Sequence, residues 1–260
     1  MNTLLEWEEV KMCKSVSEIQ QSFKVLRLSE TAEELPVLLR QAEQASWTYL
    51  ELLEQLTDLE IKRREEKSIE KRLKWAQFPF YKTLNEFDLE EQEALSERQL
   101  KQLREYQWLE QTYNLILLGP PGAGKTLLSV GLGIEAIYRG FQVYFITMGE
   151  LIQLLKTEEF TRKSQIQLRR LRASDLVIID DIMYMALDER EATLFFQLIH
   201  QLYEQSSIIL TSNRSPEEWT ELVDNQGMMT AILDRLLHRV EIIHMDNESY
   251  RMKHQQKIFD

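Results

Sequence analysis

Three of the chain's eight glycines and two of its five prolines crowd into six consecutive positions, Gly119-Pro120-Pro121-Gly122-Ala123-Gly124, with Lys125 and Thr126 directly behind. Glycine lets a backbone curl through conformations closed to other residues. At this spacing, successive N–H groups turn inward, and the N-terminus of a following helix adds the positive end of its dipole, which together make a phosphate cradle. The flanks agree. Asn114-Leu115-Ile116-Leu117-Leu118 is a short apolar run of the kind a buried parallel strand shows, and Leu127 to Tyr138 carries Leu, Val and Ile at helical spacing until Gly140 stops it. Strand, glycine loop and helix stand in the order a phosphate-binding loop requires.

In that loop Gly119, Pro120, Pro121, Gly122, Ala123, Gly124, Lys125, Thr126 and Leu127 are the nucleotide-binding residues. The Lys125 ammonium reaches the β- and γ-phosphates and the Thr126 hydroxyl ligates Mg²⁺, so ATP and Mg²⁺ are the expected cofactors. A second apolar run, Leu176-Val177-Ile178-Ile179, ends in Asp180-Asp181. A carboxylate at a strand end beside a phosphate loop can hold the metal shell with Thr126, the role expected of Asp180, and Asp181 would polarise the attacking water. A third run, Ser207 to Asn213, reads as a strand with a polar end, where Asn213 could hydrogen-bond the γ-phosphate or the lytic water. Ser215-Pro216-Glu217-Glu218 follows as a helix start, with a cap, a proline in the first turn and early acids. Arg235 and Arg239 then fall four apart, on one helical face. Such a pair serves as surface charge or bridges to Asp234 or Glu241, or in an oligomeric ATPase reaches a neighbour's γ-phosphate as an arginine finger.

At 260 residues the chain has room for one sizeable nucleotide domain and something smaller. Its single cysteine, Cys13, can form no intrachain disulfide, the N-terminus carries acid where a signal peptide carries base, and no apolar run nears the ~20 residues of a membrane span. A reduced, soluble, cytoplasmic protein with no membrane partner is expected. The formal net charge of −12 argues against indiscriminate binding of polyanions by the whole surface. Two local basic runs stand against it. In Lys62 to Lys74 glutamates are interleaved, and helical i,i+4 pairing accounts for much of the charge. In Arg162, Lys163, Arg169, Arg170 and Arg172 no acid intervenes, and a phosphate backbone is the readiest compensation, which makes these five the candidate DNA contacts.

Upstream of residue 76 the chain contains no glycine, and Leu39, Ala42, Ala45, Tyr49, Leu52, Leu56 and Leu59 recur at three- and four-residue steps, as on one amphipathic helix. The expected organisation is a small all-helical N-terminal domain over 1–75, a linker over 76–112 whose aromatics pack on the core, and an α/β nucleotide domain over 113–260.

These motifs, together with Phe78-Pro79, Lys82 to Asp88, Thr211-Ser212-Asn213-Arg214, Ala231 to Leu237 and Glu248-Ser249-Tyr250-Arg251, resemble the IstB-like AAA+ ATP-binding proteins of insertion sequences, in the group that also holds the helicase loader DnaC and the initiator DnaA. The resemblance runs over nearly the whole chain. It implies a five-stranded parallel ATPase sheet, ATP-dependent self-assembly into a homo-oligomer on duplex DNA, and delivery of bent target DNA to a cognate transposase docked on the N-terminal helices. It implies roles as well: Lys125 and Thr126 as the Walker A pair, Asp180 as the Walker B metal residue, Asn213 as sensor 1, and Arg235 as the finger, with Arg239 and Arg214 as alternatives. Where the AAA+ pattern has glutamate after the metal aspartate, this chain has Asp181, shorter by one methylene or roughly 1.5 Å, so hydrolysis is expected to be slow. About twenty residues follow Arg239, little room for a helical lid or a sensor 2 arginine. DNA gripped by its backbone should be bound with little sequence preference and steep salt dependence. Two other classes share parts of this pattern. A helicase loader would favour single strands, and a small-molecule kinase would need an acceptor pocket that the basic run and the Asn213 strand end fit poorly.

Overall fold

The computed structural model describes residues 14–87, 95–182, 187–222 and 226–245. The chain forms two compact units, Met1–Ser68 and Ile69–Asp260.

The first unit is helical, as its composition implies. Helix α1 (Val16–Val25) starts at a capping box in which Ser15 accepts the Glu18 N–H and Glu18 accepts the Ser15 N–H, at 3.3 and 2.7 Å. Helix α2 (Ser29–Ala45) and helix α3 (Tyr49–Ala76, whose last turns belong to the second unit) follow. The apolar stripe from Leu39 to Leu59 is therefore divided between two helices. Ser46 takes a left-handed conformation at φ 52°, and Thr48 and Glu51 form a fresh capping box, with the Thr48 N–H 2.6 Å from the Glu51 carboxylate. Leu56 is buried, whereas Tyr49 is 92% exposed. Glu60 is buried against α2. Burial alone would raise its carboxyl, but hydrogen bonds from Arg64 and from Thr31 outweigh that and hold it below the usual carboxylate range. In the first basic run Arg63 pairs with Glu66 and Arg64 with Glu60 along α3, while Lys67 pairs across to Glu30 of α2.

The second unit is built on five parallel strands, β1 (Asn114–Leu118), β2 (Val143–Thr147), β3 (Leu176–Asp180), β4 (Ser207–Ser212) and β5 (Val240–His244), in the order β2-β3-β4-β1-β5. Alternate strand residues feed two cores. Leu115, Leu117, Phe145, Ile178 and Ile209 pack with helix α6 (Lys125–Tyr138) and helix α4 (Glu97–Arg104). Ile116, Ile146, Ile179 and Leu210 pack with helices α7 (Met148–Thr157), α8 (Arg162–Arg172), α9 (Glu189–Leu202) and α10 (Gln226–Leu237). The short helix α5 (Gln107–Glu110) leads into β1. Because the central strands are covered on both faces, they read as unbroken apolar runs.

Two sequence expectations give way here. Pro216–Leu222 is a 3-10 segment, not an α-helix. Helix α10 ends at Leu237, so Arg239 lies in the turn before β5 and does not share a helical face with Arg235. The expected Glu248–Arg251 motif lies outside the described residues.

Buried Asn114 ties three elements at the start of β1. Its amide donates to the Leu236 carbonyl and accepts the Ile208 N–H, both at 2.9 Å, and its own N–H donates to the Arg239 carbonyl at 2.7 Å. Residues ahead of β1 close over α6 at two glycines. A Cβ on Gly131 would come 2.5 Å from the Leu84 side chain, and one on Gly133 would come 2.9 Å from both Ile178 and the Phe78 ring. Helical propensity alone favours alanine by about 1 kcal/mol, while overpacking costs about 1–3 kcal/mol. Gly131→Ala, at the closer contact, is expected to lower stability in urea unfolding by a net ~1 kcal/mol or more. A stabilised variant would mean that Leu84 does not rest on this helix.

Candidate functional site

Parallel register gathers the polar strand ends at one edge of the sheet. Leu117 stands opposite Thr211, Leu118 opposite Ser212, and Asp180 opposite Thr147. The phosphate loop leaves β1 at that edge. Its first residue donates its N–H to the Ser212 carbonyl at 3.1 Å, and a Cβ on Gly119 would stand 2.1 Å from the Met245 carbonyl oxygen, which leaves room for glycine alone. Gly122 and Gly124 take φ of 87° and 91°, and Gly124 is the N-cap of α6. Among the described residues, no side chain caps that helix. Its first N–H groups have no intrahelical partner, and they open toward the loop with the positive end of the dipole.

Lys125 Nζ donates to the Gly119 and Pro120 carbonyls at 2.6 and 2.9 Å, folding the ammonium over its own loop. Next to it, Thr126 Oγ1 donates to the Asp180 carboxylate at 3.0 Å. A second hydroxyl reaches the same carboxylate: Thr211 Oγ1, on β4, donates to Asp180 Oδ1 at 2.7 Å and accepts the Asp181 N–H at 2.7 Å. Asp181 turns sharply out of β3 with φ 55°, and its buried Oδ1 has no hydrogen-bond partner among the described residues. Both carboxylates open on a cavity of about 400 Å³ lined also by Thr147, Met148 and Gly149.

The residues present fit ATP and Mg²⁺. A glycine cradle with unpaired helical N–H groups suits phosphate, a lysine hovers at the loop, and a hydroxyl and a carboxylate lie within hydrogen-bond distance of each other, the donor set Mg²⁺ takes. The orphaned Asp181 oxygen is one that a water or substrate group would satisfy.

The sequence offers Asn213, at the end of the third apolar run, as a partner for the γ-phosphate or the lytic water. Asn213 lies one residue past the strand and is exposed, whereas the buried Thr211 makes the contacts to both aspartates. The available signal was a hydroxyl, Thr211, at the end of the apolar residues Ile208 to Leu210. Arg235 is folded onto α9. Its Nη1 donates to the Ala231 carbonyl at 2.8 Å, its Nε approaches His200 Nδ1 at 3.3 Å, and its guanidinium lies 5.0 Å over Phe196. Arg239 is exposed, with Nη1 3.4 Å from the Gln111 carbonyl. Arg214 is exposed, and its carbonyl takes the indole N–H of buried Trp219 at 3.1 Å.

Helix α8 divides its five cations. Thr161 caps the helix, and Ser164, Leu168 and Leu171 face the core, leaving Arg162, Lys163 and Arg169 exposed. Arg170 stacks on Trp75 at 4.6 Å. Arg172 grips Glu158 with both guanidinium nitrogens, the longer contact 2.8 Å, and its Nε donates to Gln201 at 2.7 Å. The hydrogen bond from Arg172 holds the Glu158 carboxyl below its ordinary value. The run is thus not free of compensation: an acid that precedes it in the chain folds back to neutralise its last member, which spacing along the chain does not reveal.

Among the described residues, no helix is long and apolar enough to cross a membrane. Solved structures with a similar fold include AMPPCP-bound DnaA from Aquifex aeolicus, with a TM-score of 0.52 at 24% identity over 67% of this chain and 53% of that one. DnaI is also similar, with a TM-score of 0.53 at 18% identity over 62% of this chain and 89% of the other. Among curated proteins, an IS21-like insertion-sequence putative ATP-binding protein of Bacteroides fragilis is 36% identical over 95% of this chain and 94% of its own length. The IS5376 insertion-sequence putative ATP-binding protein of Geobacillus stearothermophilus is 37% identical over 88% and 91%. The family of IstB-like ATP binding proteins matches residues 21–258. With a phosphate loop, a metal-type aspartate and kinship that runs nearly end to end, the chain belongs to the IstB-like family of ATP-binding proteins.

Proposed function

We propose that this protein is an ATP-hydrolysing transposition helper of the bacterial cytoplasm, which assembles with ATP on duplex DNA, bends it and presents it to a cognate transposase. The observation that carries the reading is the Thr126–Asp180 pairing at the mouth of the phosphate loop, in a unit that also exposes Arg162, Lys163 and Arg169. It is supported by relatives named for insertion sequences and ATP binding.

Nucleotide phosphates take the place of the Gly119 and Pro120 carbonyls as acceptors for Lys125. Thr126 and Asp180 would hold Mg²⁺, which when bound would supply positive charge beside the β- and γ-phosphates. Thr211 fixes the Asp180 carboxylate and, through the Asp181 N–H, the direction of the turn that carries the water-orienting carboxylate. That carboxylate is one methylene shorter than the AAA+ pattern provides, so the attacking water is aligned poorly and turnover is slow. Slow turnover keeps an ATP-bound assembly in being until a partner arrives. Arg235 acts in trans once assembly draws it from His200 and Ala231, with Arg239 and Arg214 as the alternatives. Cations exposed on α8 contact the DNA backbone, so binding is largely indifferent to sequence.

Particle size and duplex binding, measured together by electron microscopy and gel shift with ATP, with ADP and for Lys125→Ala, test this reading. Large particles only with ATP and duplex are expected, and a small species that prefers single strands would overturn it. Thr211→Val keeps the shape and deletes the hydroxyl, so ATP hydrolysis should fall roughly 10–100-fold, the range typical of residues that orient metal ligands, with nucleotide affinity kept and Thr211→Ser restoring turnover. Asp181→Glu should raise turnover, and an unchanged rate would remove side-chain reach as the cause of slow hydrolysis.

A further inference from the structure

The two basic runs meet at one tryptophan in the second unit. Lys71 and Trp75 lie one helical turn apart near the end of α3, and Lys71 Nζ stands 4.4 Å from the indole centroid. Arg170, from α8, approaches the same ring at 4.6 Å. Beside the ring is a cavity of about 330 Å³ whose polar lining is Arg72, Arg169, Arg170, Gln142, Tyr144 and Ser174, with no carboxylate among the described lining residues. Arg72 lies against Gly140, its Nη1 3.5 Å from where a Cβ on that glycine would stand. Asp175, the acid next to the cavity wall in sequence, accepts the Gln142 backbone N–H at 2.7 Å.

Three cations, Arg72, Arg169 and Arg170, thus line a cavity with no acid in its described wall, and Lys71 stands over the tryptophan that flanks it, in a chain of net charge −12. Cation–π contacts of about 0.5–1 kcal/mol each at exposed sites orient the Lys71 and Arg170 head groups without neutralising them. Their mutual repulsion is relieved by an anion. The anion that fits is a backbone phosphate, because α8, which brings Arg169 and Arg170 to the cavity, also carries the exposed Arg162 and Lys163. Eight residues at 1.5 Å rise separate Arg162 from Arg170 by about 12 Å, comparable to the major-groove width of about 12 Å, so the two ends of α8 can meet backbone on either side of one groove.

We propose that Lys71, Arg72, Trp75, Arg169 and Arg170 form a phosphate site of the duplex interface, so that the end of α3 grips the same DNA as α8. This rests on the duplex-binding reading above. The test is duplex affinity of the full chain with ATP over a salt series, for the native protein, Lys71→Ala/Arg72→Ala, Trp75→Phe and, as a control, Arg172→Ala. The double variant should bind about tenfold more weakly, with a log–log salt slope shallower by about one unit, as expected when one fewer phosphate is neutralised. Trp75→Phe should keep the slope. Arg172→Ala should melt earlier with its slope unchanged. A folded double variant with the native slope would overturn the inference and leave duplex binding standing, as would an equally shallow slope in Arg172→Ala, which marks a general effect of net charge. If the native protein ignores duplex, both readings fall. Should the double variant melt early, Lys71→Ala on the exposed side of Trp75 carries the same comparison.

Discussion

The parallel register of β1, β3 and β4 is the constraint on which the nucleotide site depends. All three strands run the same way, so their C-terminal ends meet at one edge, and the residues found there come from positions 54 and 31 apart in sequence. Two hydroxyls, one on the helix after the loop and one on β4, converge on the Asp180 carboxylate. A slip of one residue in β4 would turn Thr211 to the other face of the sheet and leave the aspartate with a single hydroxyl donor. The apolar residues behind it hold the register, since Leu210 and Ile179 pair across the strands and are fully buried.

How legible each element was follows from how it is buried. Strands β1, β3 and β4 are covered on both faces and announce themselves as apolar runs. Strand β5 pairs with β1 alone, and exposed Glu241 and His244 interrupt its apolar residues, so no continuous run marks it. Strand β2 mixes aromatic and aliphatic residues, Val143-Tyr144-Phe145-Ile146-Thr147, runs straight into α7 and reads equally as a connector. The phosphate loop was plain because its chemistry is local. The site contacts that local sequence missed are made across the chain: Glu158 closing on Arg172, Thr211 bridging two aspartates, and Trp75 receiving Arg170. The division between α2 and α3 is different. Its signal, Thr48 with Glu51, was local, and an apolar periodicity that happened to continue through the turn masked it.

Two helical glycines show how the segment before β1 joins the parallel-sheet core. Gly131 meets Leu84, and Gly133, about 200° further round α6, meets Phe78 and Ile178; their missing side chains let that segment approach the helix that starts at the phosphate loop. The same helix therefore carries the nucleotide residues at one end and a close-packed seam in its middle. Any strain at the seam is felt along a rigid rod of 14 residues that begins with Lys125.

That lysine is already occupied. Its ammonium is hydrogen-bonded to the carbonyls of the residues it follows by six and five positions, so the loop is held shut around an internal cation. Any anion that takes up this ammonium does so by exchange, trading one set of hydrogen bonds for another. What the molecule forgoes in gross attraction it regains in order, because the loop need not be organised from a disordered state when the nucleotide arrives.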